Sequence, residues 1–209
     1  DIITTGRPDL TEHAHKYGWL SGCRLDSLPE CDAAGVSPEF IDIHWEEPNR
    51  EGLLSAVKTH RPQYAIAGDY GGDNIDEINE FAAQLRPYVD NVIIVPHESG
   101  EVKRVPEWAI VGYSTPTSYA GTDAPIWEYT GRDVHVLGGT MPQIKTVADH
   151  LRDSIVSLDT NTHHRDATQF GEYWTRTPRQ RKEIAAVGDT TREAYENSVL
   201  NMTYAFEEW

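Results

Sequence analysis

Short, continuously apolar segments that alternate with stretches of helical periodicity predict an α/β chain with a parallel sheet. No glycine-rich fingerprint opens a helix after the first of these segments, which disfavours an open dinucleotide-binding sheet. The expected architecture is therefore a small, irregular (β/α) TIM-type barrel, with parallel strands inside and helices outside. Residues 1–209 are expected to form this one domain, ending in a C-terminal helix.

Six segments read as buried strands: residues 40–45, 64–69, 91–97, 108–114, 133–138 and 155–160. Most are unbroken apolar runs, as expected for strands covered on both faces. Leu53, Leu54 and Val57 mark a helix between the first two. Asn74, with Glu77 three residues on, caps a second helix whose stripe is Ile78, Phe81, Ala82 and Leu85. Ile144, Val147 and Leu151 mark a third. Thr190 and Glu193 form a capping box before Ala194, Val199, Met202 and Phe206 in the C-terminal helix. Residues 98–107 and 115–132 carry little helical pattern, and the second of these reads as a long functional loop.

Composition narrows the function. Hydrophobic residues make up 38% of the chain, enough for a sizeable core, and no run of 18 apolar residues offers a membrane span. The N-terminal residues lack a basic region followed by an apolar run, and Cys23 and Cys31 are too few for a disulfide scaffold. A reducing, cytoplasmic setting is expected. The formal net charge of −16 repels anionic membranes and most nucleic acid. Only five of the 18 basic residues are lysine, a composition that suits a halophilic surface kept hydrated in concentrated salt.

Polar residues gather at the C-terminal ends of the expected strands: Asp42 and His44, Asp69, His97, Ser114, Gly138 and Gly139, then Asp159 and Asn161. In a barrel those ends converge on one mouth, where such enzymes place their chemistry. Each residue alone is equally at home as a helix cap or in a turn. His44, His97, His135, His163 and His164 offer nitrogen ligands, but no His-Glu-x-x-His spacing is present. Tyr113, Ser114 and Thr115 lack the glycine elbow that exposes a serine nucleophile.

One stretch resembles a known family. The run 134–140 (Val-His-Val-Leu-Gly-Gly-Thr), a helix, the run 155–161 ending Asp159-Thr-Asn161, then His163-His164-Arg165 and Gly171 resemble the end of the tRNA-guanine transglycosylase barrel. Read backwards, Gly112 stands where that family's glycine backbone contacts the base, His97 where it has a base-reading glutamine, Asp69 where it has a base-recognition aspartate, and Asp42 where it has a second catalytic aspartate. The family's Cys-x-Cys-x-x-Cys zinc site is missing. The chain is thus more similar to the short, zinc-free relatives of viruses and bacteria that insert 7-deazaguanine bases into DNA.

The resemblance implies base exchange through a covalent aspartyl-sugar intermediate, with Asp159 as nucleophile and Asp42 or His44 managing the proton of the leaving purine. Asp69 would accept from the guanine edge, with Tyr70, His97, Gly112, Tyr113, Tyr119, Gly138 and Gly139 around the base. His163, His164, Arg165, Arg176, Arg179, Arg181 and Lys182 form a basic strip that would hold phosphates. DNA rather than tRNA and a free 7-deazaguanine base are the expected partners, with no membrane, no metal and no cofactor; self-association is left open. Two rival readings stand beside this one: another barrel hydrolase or lyase acting on a small molecule, and a catalytically inactive barrel serving as a binding or structural subunit.

Overall fold

The computed structural model describes residues 1–44, 46–68, 74–117, 121–175, 182–184 and 190–208, with 182–184 placed as backbone. Eight parallel strands close into a barrel in chain order: β1 (Ile2–Thr5), β2 (Leu20–Arg24), β3 (Phe40–Asp42), β4 (Tyr64–Gly68), β5 (Asn91–Ile94), β6 (Ile110–Ser114), β7 (Val134–Leu137) and β8 (Ile155–Thr160), β8 pairing back onto β1. The six expected strands become β3 to β8. Several end earlier than the apolar run suggests, at Asp42 rather than residue 45 and at Ile94 rather than 97, because the chain leaves the sheet as it reaches the mouth.

Two strands are additional to those expected. β1 contributes only two apolar residues, and β2 reads Leu-Ser-Gly-Cys-Arg, so neither shows a continuous run. Gly22 in β2 has a packing reason. A Cβ there would lie 2.8 Å from the Phe40 ring and 2.9 Å from Ile3, both filling the barrel interior. The strand thus forfeits apolar pattern to make room for its neighbour's ring.

Around the barrel lie α1 (Pro8–His15), α2 (Leu28–Ala34), α3 (Arg50–His60), α4 (Ile75–Leu85), α5 (Met141–Leu151), α6 (Thr162–Phe170) and α7 (Thr191–Glu208). Asn74 caps α4 by accepting from the Asp76 N–H at 3.0 Å, and the stripe Ile78, Phe81, Ala82 and Leu85 is buried against β4 and β5. Each large side chain of that stripe contributes roughly 1.5–3 kcal/mol on burial. α5 starts with a capping box between Thr140 and Gln143, and α7 with one between Thr190 and Glu193. Where helical pattern is sparse, the described connections after β5 and β6 contain single 3-10 turns, Val102–Arg104 and Ile126–Tyr129.

α6 is additional to the helices expected, because its buried face carries His163 and Asp166 where an apolar stripe would mark a helix. Beyond it, β9 (Glu172–Trp174) and β10 (Lys182–Ile184) form a two-stranded antiparallel ribbon. Leu10, Trp19, Ala167, Trp174, Tyr195, Val199 and Met202 form a second core, in which α7 joins α1, α6 and β9. No described helix is long and apolar enough to cross a membrane.

Candidate active site at the mouth of the barrel

Partners in a parallel ladder share a face, so the strand register shows which residues enter the barrel. Leu137 pairs with Asp159, Ser114 with Leu137, Arg24 with Asp42, and Ile3 with Asp159. Asp42, Ser114 and Leu137 therefore end their strands on the inner face, and Asp159 joins them there one residue before the end of β8. All four line one cleft of about 280 Å³, together with Thr115, Gly138, Gly139, Asn161 and Arg165. Asp42 and Asp159 come from β3 and β8, three pairings apart around the barrel, so they approach the cleft from separate walls.

Asp159 is the better anchored of the two carboxylates. Its side chain is 18% exposed, and its Oδ1 lies 3.2 Å from Nε2 of His135 and 3.3 Å from the Gly138 N–H. Gly138 and Gly139 both have positive φ, which turns the chain out of β7 beside the carboxylate. At Gly139 a Cβ would come within 2.9 Å of Thr115, so the exit of β7 passes too close to β6 for a larger residue. Below Asp159, His135 is fully buried and its Nδ1 is 2.8 Å from the Ser157 hydroxyl. Lower still, the Tyr64 phenol donates to the Asp1 carboxylate at 2.6 Å, and burial pushes its pKa above the ordinary value.

Arg165, 48% exposed, supplies the positive charge of this cleft. It also stands 3.4 Å from the buried Asp166. A second cleft of about 320 Å³ lies alongside, lined by Arg7, Cys23, Arg24, Glu30, Cys31 and His164 and sharing Asn161 with the first. Its guanidinium groups are already engaged, Arg7 with Asp9 and Arg24 with Asp26 at 2.6 Å each. Among the described residues no group of three or more His, Cys, Asp or Glu side chains is arranged to hold a metal ion.

The structure brings together Asp42, Asp159, Gly138, Gly139 and Arg165 from the expected site and separates several others. Gly112 faces the barrel interior, where Val95, Leu137 and Ile93 crowd the position of its missing side chain, and it is not among the cleft-lining residues described. Tyr113, one residue on, points outward by strand alternation; it is buried edge-on against Tyr129 at 5.0 Å, and burial raises its phenol pKa. His44 accepts the Glu47 N–H at 3.3 Å and is not among the cleft-lining residues described. His97 is half-buried beyond β5, its backbone N–H held by Glu101 at 2.9 Å, and is likewise outside that lining.

The basic strip is also corrected in part. His163 is fully buried, 3.0 Å from the Thr4 hydroxyl and packed against Trp19 and Tyr195. Burial lowers its pKa to about 3, so it presents no charge to a phosphate. His164 is half-buried and accepts the Arg7 N–H at 3.1 Å; burial lowers its pKa as well. Asp69, Tyr70, Tyr119, Arg176, Arg179 and Arg181 lie outside the described residues, as does the Lys182 side chain.

Of the pair beneath Asp159, sequence reasoning named His135 only as a possible metal ligand and passed over Ser157. The signal was available: His135 and Ser157 each stand two residues before a strand-end residue on the inner face, polar positions within otherwise apolar strands.

Comparison with solved structures supports the barrel. The chain is similar to a structure described as native KDPGal (TM-score 0.55, 11% identity, covering 99% of this chain and 92% of that one). It is also similar to D-psicose 3-epimerase with D-tagatose from Clostridium cellulolyticum H10 (TM-score 0.54, 10% identity, 98% and 99% covered). A third is nitroalkane oxidase from Streptomyces ansochromogenes (TM-score 0.52, 12% identity, 99% and 83% covered). At such identities the likeness concerns the fold. No curated protein matches the sequence. A family model does match, across residues 14–207, and by that match the chain belongs to DUF6610, a family of unknown function.

Proposed function

We propose that this protein is a barrel enzyme that exchanges a guanine-type base for a 7-deazaguanine base at an N-glycosidic bond, with DNA as the polymer substrate. The observation that carries the reading is the meeting of two carboxylates, Asp42 and Asp159, from separate walls of one small cleft at the C-terminal mouth. Glycosidic chemistry needs such a pair, one group to take the sugar and the other to manage the proton of the leaving group.

In this reading an oxygen of Asp159 attacks C1′ of the sugar from the face opposite the base. The C1′–N9 bond breaks, its electron pair passes to N9, and protonated Asp42 supplies the proton that neutralises the departing base. The incoming deazaguanine then gives up its ring N–H proton to the Asp42 carboxylate. Its nitrogen attacks C1′, releasing Asp159. A flipped-out nucleotide is required for either step. Ser114 and Asn161 bring further polar groups to the cleft, and Arg165 supplies its charge.

The cleft's volume favours a second, narrower reading. At about 280 Å³ it lies just below the roughly 300–1,000 Å³ usual for ligand sites, so a free nucleoside fits it as well as a nucleotide flipped from DNA.

One experiment tests both. The protein is incubated with isotopically labelled guanine, or with a panel of 7-deazaguanine bases, and with DNA, tRNA or deoxyguanosine, followed by mass spectrometry of the nucleosides. Label in DNA supports the proposal, and label in deoxyguanosine alone supports the narrower reading. No incorporation into any acceptor overturns base exchange.

A further inference from the structure

We infer that His135 is the positioning residue of the mouth: its buried imidazole, held in one tautomer by Ser157, fixes one oxygen of Asp159 and leaves the other to the cleft. The relevant geometry is short and closed. Nε2 of His135 is 3.2 Å from Asp159 Oδ1, and Nδ1 is 2.8 Å from Ser157 Oγ. A carboxylate can only accept, so His135 donates from Nε2 and its Nδ1 receives the Ser157 hydroxyl proton. The opposite tautomer would set the bare Nε2 lone pair against the carboxylate.

The two hydrogen bonds to the Asp159 carboxylate, from His135 and from the Gly138 N–H, fall on Oδ1. Oδ2 is neither buried nor hydrogen-bonded among the described residues. The carboxylate is thereby presented with one oxygen held and one facing the space where a ligand would sit. Phe40 stacks on the imidazole, with ring centroids 5.7 Å apart and planes 20° from parallel, so the ring has little freedom to turn.

A bland alternative is that His135 merely fills the interior. The surrounding layer argues against it: Ile3, Phe40, Ile66 and Ile93 are all fully buried or nearly so, and apolar. In such a layer an apolar side chain of similar shape would serve stability at least as well, because exchanging a buried polar pair for apolar groups is close to neutral. The imidazole occurs in the strand position directly beneath the proposed reacting group. The orienting role is the same one that outer partners play for histidines and carboxylates at metal and catalytic centres.

The effect of His135 on rate rests on the reading of Asp159 as nucleophile; its effect on tautomer and side-chain geometry does not. The test therefore has two arms. In the first, ¹⁵N NMR of the His135 ring reads the tautomer, and three-bond couplings across Cα–Cβ read the rotamer of Asp159. A single Nε2–H tautomer and a single Asp159 rotamer are expected in the wild type. Ser157→Ala should mix the tautomers. His135→Leu should release the Asp159 rotamer, while His135→Gln, whose amide N–H can reach the same oxygen, should hold it.

In the second arm, trapping of the covalent adduct with DNA should slow by roughly 10- to 100-fold in His135→Leu at unchanged base affinity. His135→Gln should recover most of the rate. Thermal melting confirms that each variant is folded; if His135→Leu is not, Ser157→Ala carries the test through the tautomer alone. An Nδ1–H tautomer in the wild type, or a fixed Asp159 rotamer in His135→Leu, overturns the inference. If the first arm succeeds while the wild type forms no adduct, positioning stands and base exchange falls.

Discussion

Trp174 donates its indole N–H to the fully buried carboxylate of Asp166 at 2.9 Å, and that contact ties β9 to α6. The same tryptophan engages α7 through its backbone: its N–H donates to Ser198 at 3.0 Å, and its carbonyl accepts from Asn201 at 2.9 Å. One residue thus joins three elements of the second core. Trp174→Phe keeps an aromatic ring but leaves the buried carboxylate one donor short. It should lower stability by about 1–3 kcal/mol, the usual cost of an unmet buried polar group. Urea unfolding measures this, and a loss below about 0.5 kcal/mol would show that water replaces the indole.

Stability should fall with acid, and His163 is the reason. Burial depresses its folded pKa from 6.5 to about 3, so between those values the unfolded chain binds a proton that the native chain excludes. The native state is fully favoured above about pH 6.5 and loses up to roughly 1.4 kcal/mol per pH unit as pH falls from there toward 3. His163→Gln can keep the contact with Thr4 and does not titrate. Its unfolding free energy should vary less steeply between pH 6.5 and 4.5 than that of the wild type. Parallel slopes for the two proteins would contradict this account of His163.

Salt should stabilise the protein into the molar range. With a net charge of −16, self-repulsion opposes the compact state at low ionic strength, and screening relieves it. The surface ion pairs that salt weakens, such as Arg7 with Asp9 and Arg24 with Asp26, are more than two-fifths exposed and contribute little. Melting temperatures recorded from 0.1 to 3 M KCl decide the matter; a flat or falling curve means the acidity has no such consequence.

The two mouth carboxylates should fail differently. Asp159→Asn retains size and most hydrogen bonding but removes the attacking charge, so it should abolish the covalent adduct on denaturing gels while base binding survives. Asp42→Asn should leave adduct formation detectable but slower by about 10²- to 10⁴-fold, the usual weight of a general acid–base group. Equal loss in both variants would remove the division of labour proposed here. Persistence of the adduct in Asp159→Asn would place the nucleophile elsewhere.

Much of the barrel is legible locally. The unbroken apolar runs around Ile66, Ile93, Val111 and Val136 mark strands without any knowledge of their neighbours, and the stripe through Ile78, Phe81 and Leu85 marks a helix. Asp42 and Asp159 are legible as strand-end acids for the same reason. β1 and β2 were not, because Gly22 replaces an apolar residue only to admit the Phe40 ring, a constraint imposed by another strand.

By itself the sequence determined the class of fold, the order of six strands, the Asn74 cap of α4, the capping box of α7 and the strand-end positions of the mouth residues, since these follow from patterns within a few residues. Tertiary structure alone decided closure and facing. The pairing of β1 with β8 brings Ile3 beside Asp159, a contact no local pattern contains. Facing depends on register, in which a step of one residue sends Ser114 into the cleft and Tyr113 away from it. Burial then settled the histidines. His163 is sealed in a core and does not line a charged surface, while His135 lies directly beneath Asp159, because side-chain solvation is fixed by what packs around a residue and not by its neighbours in the chain.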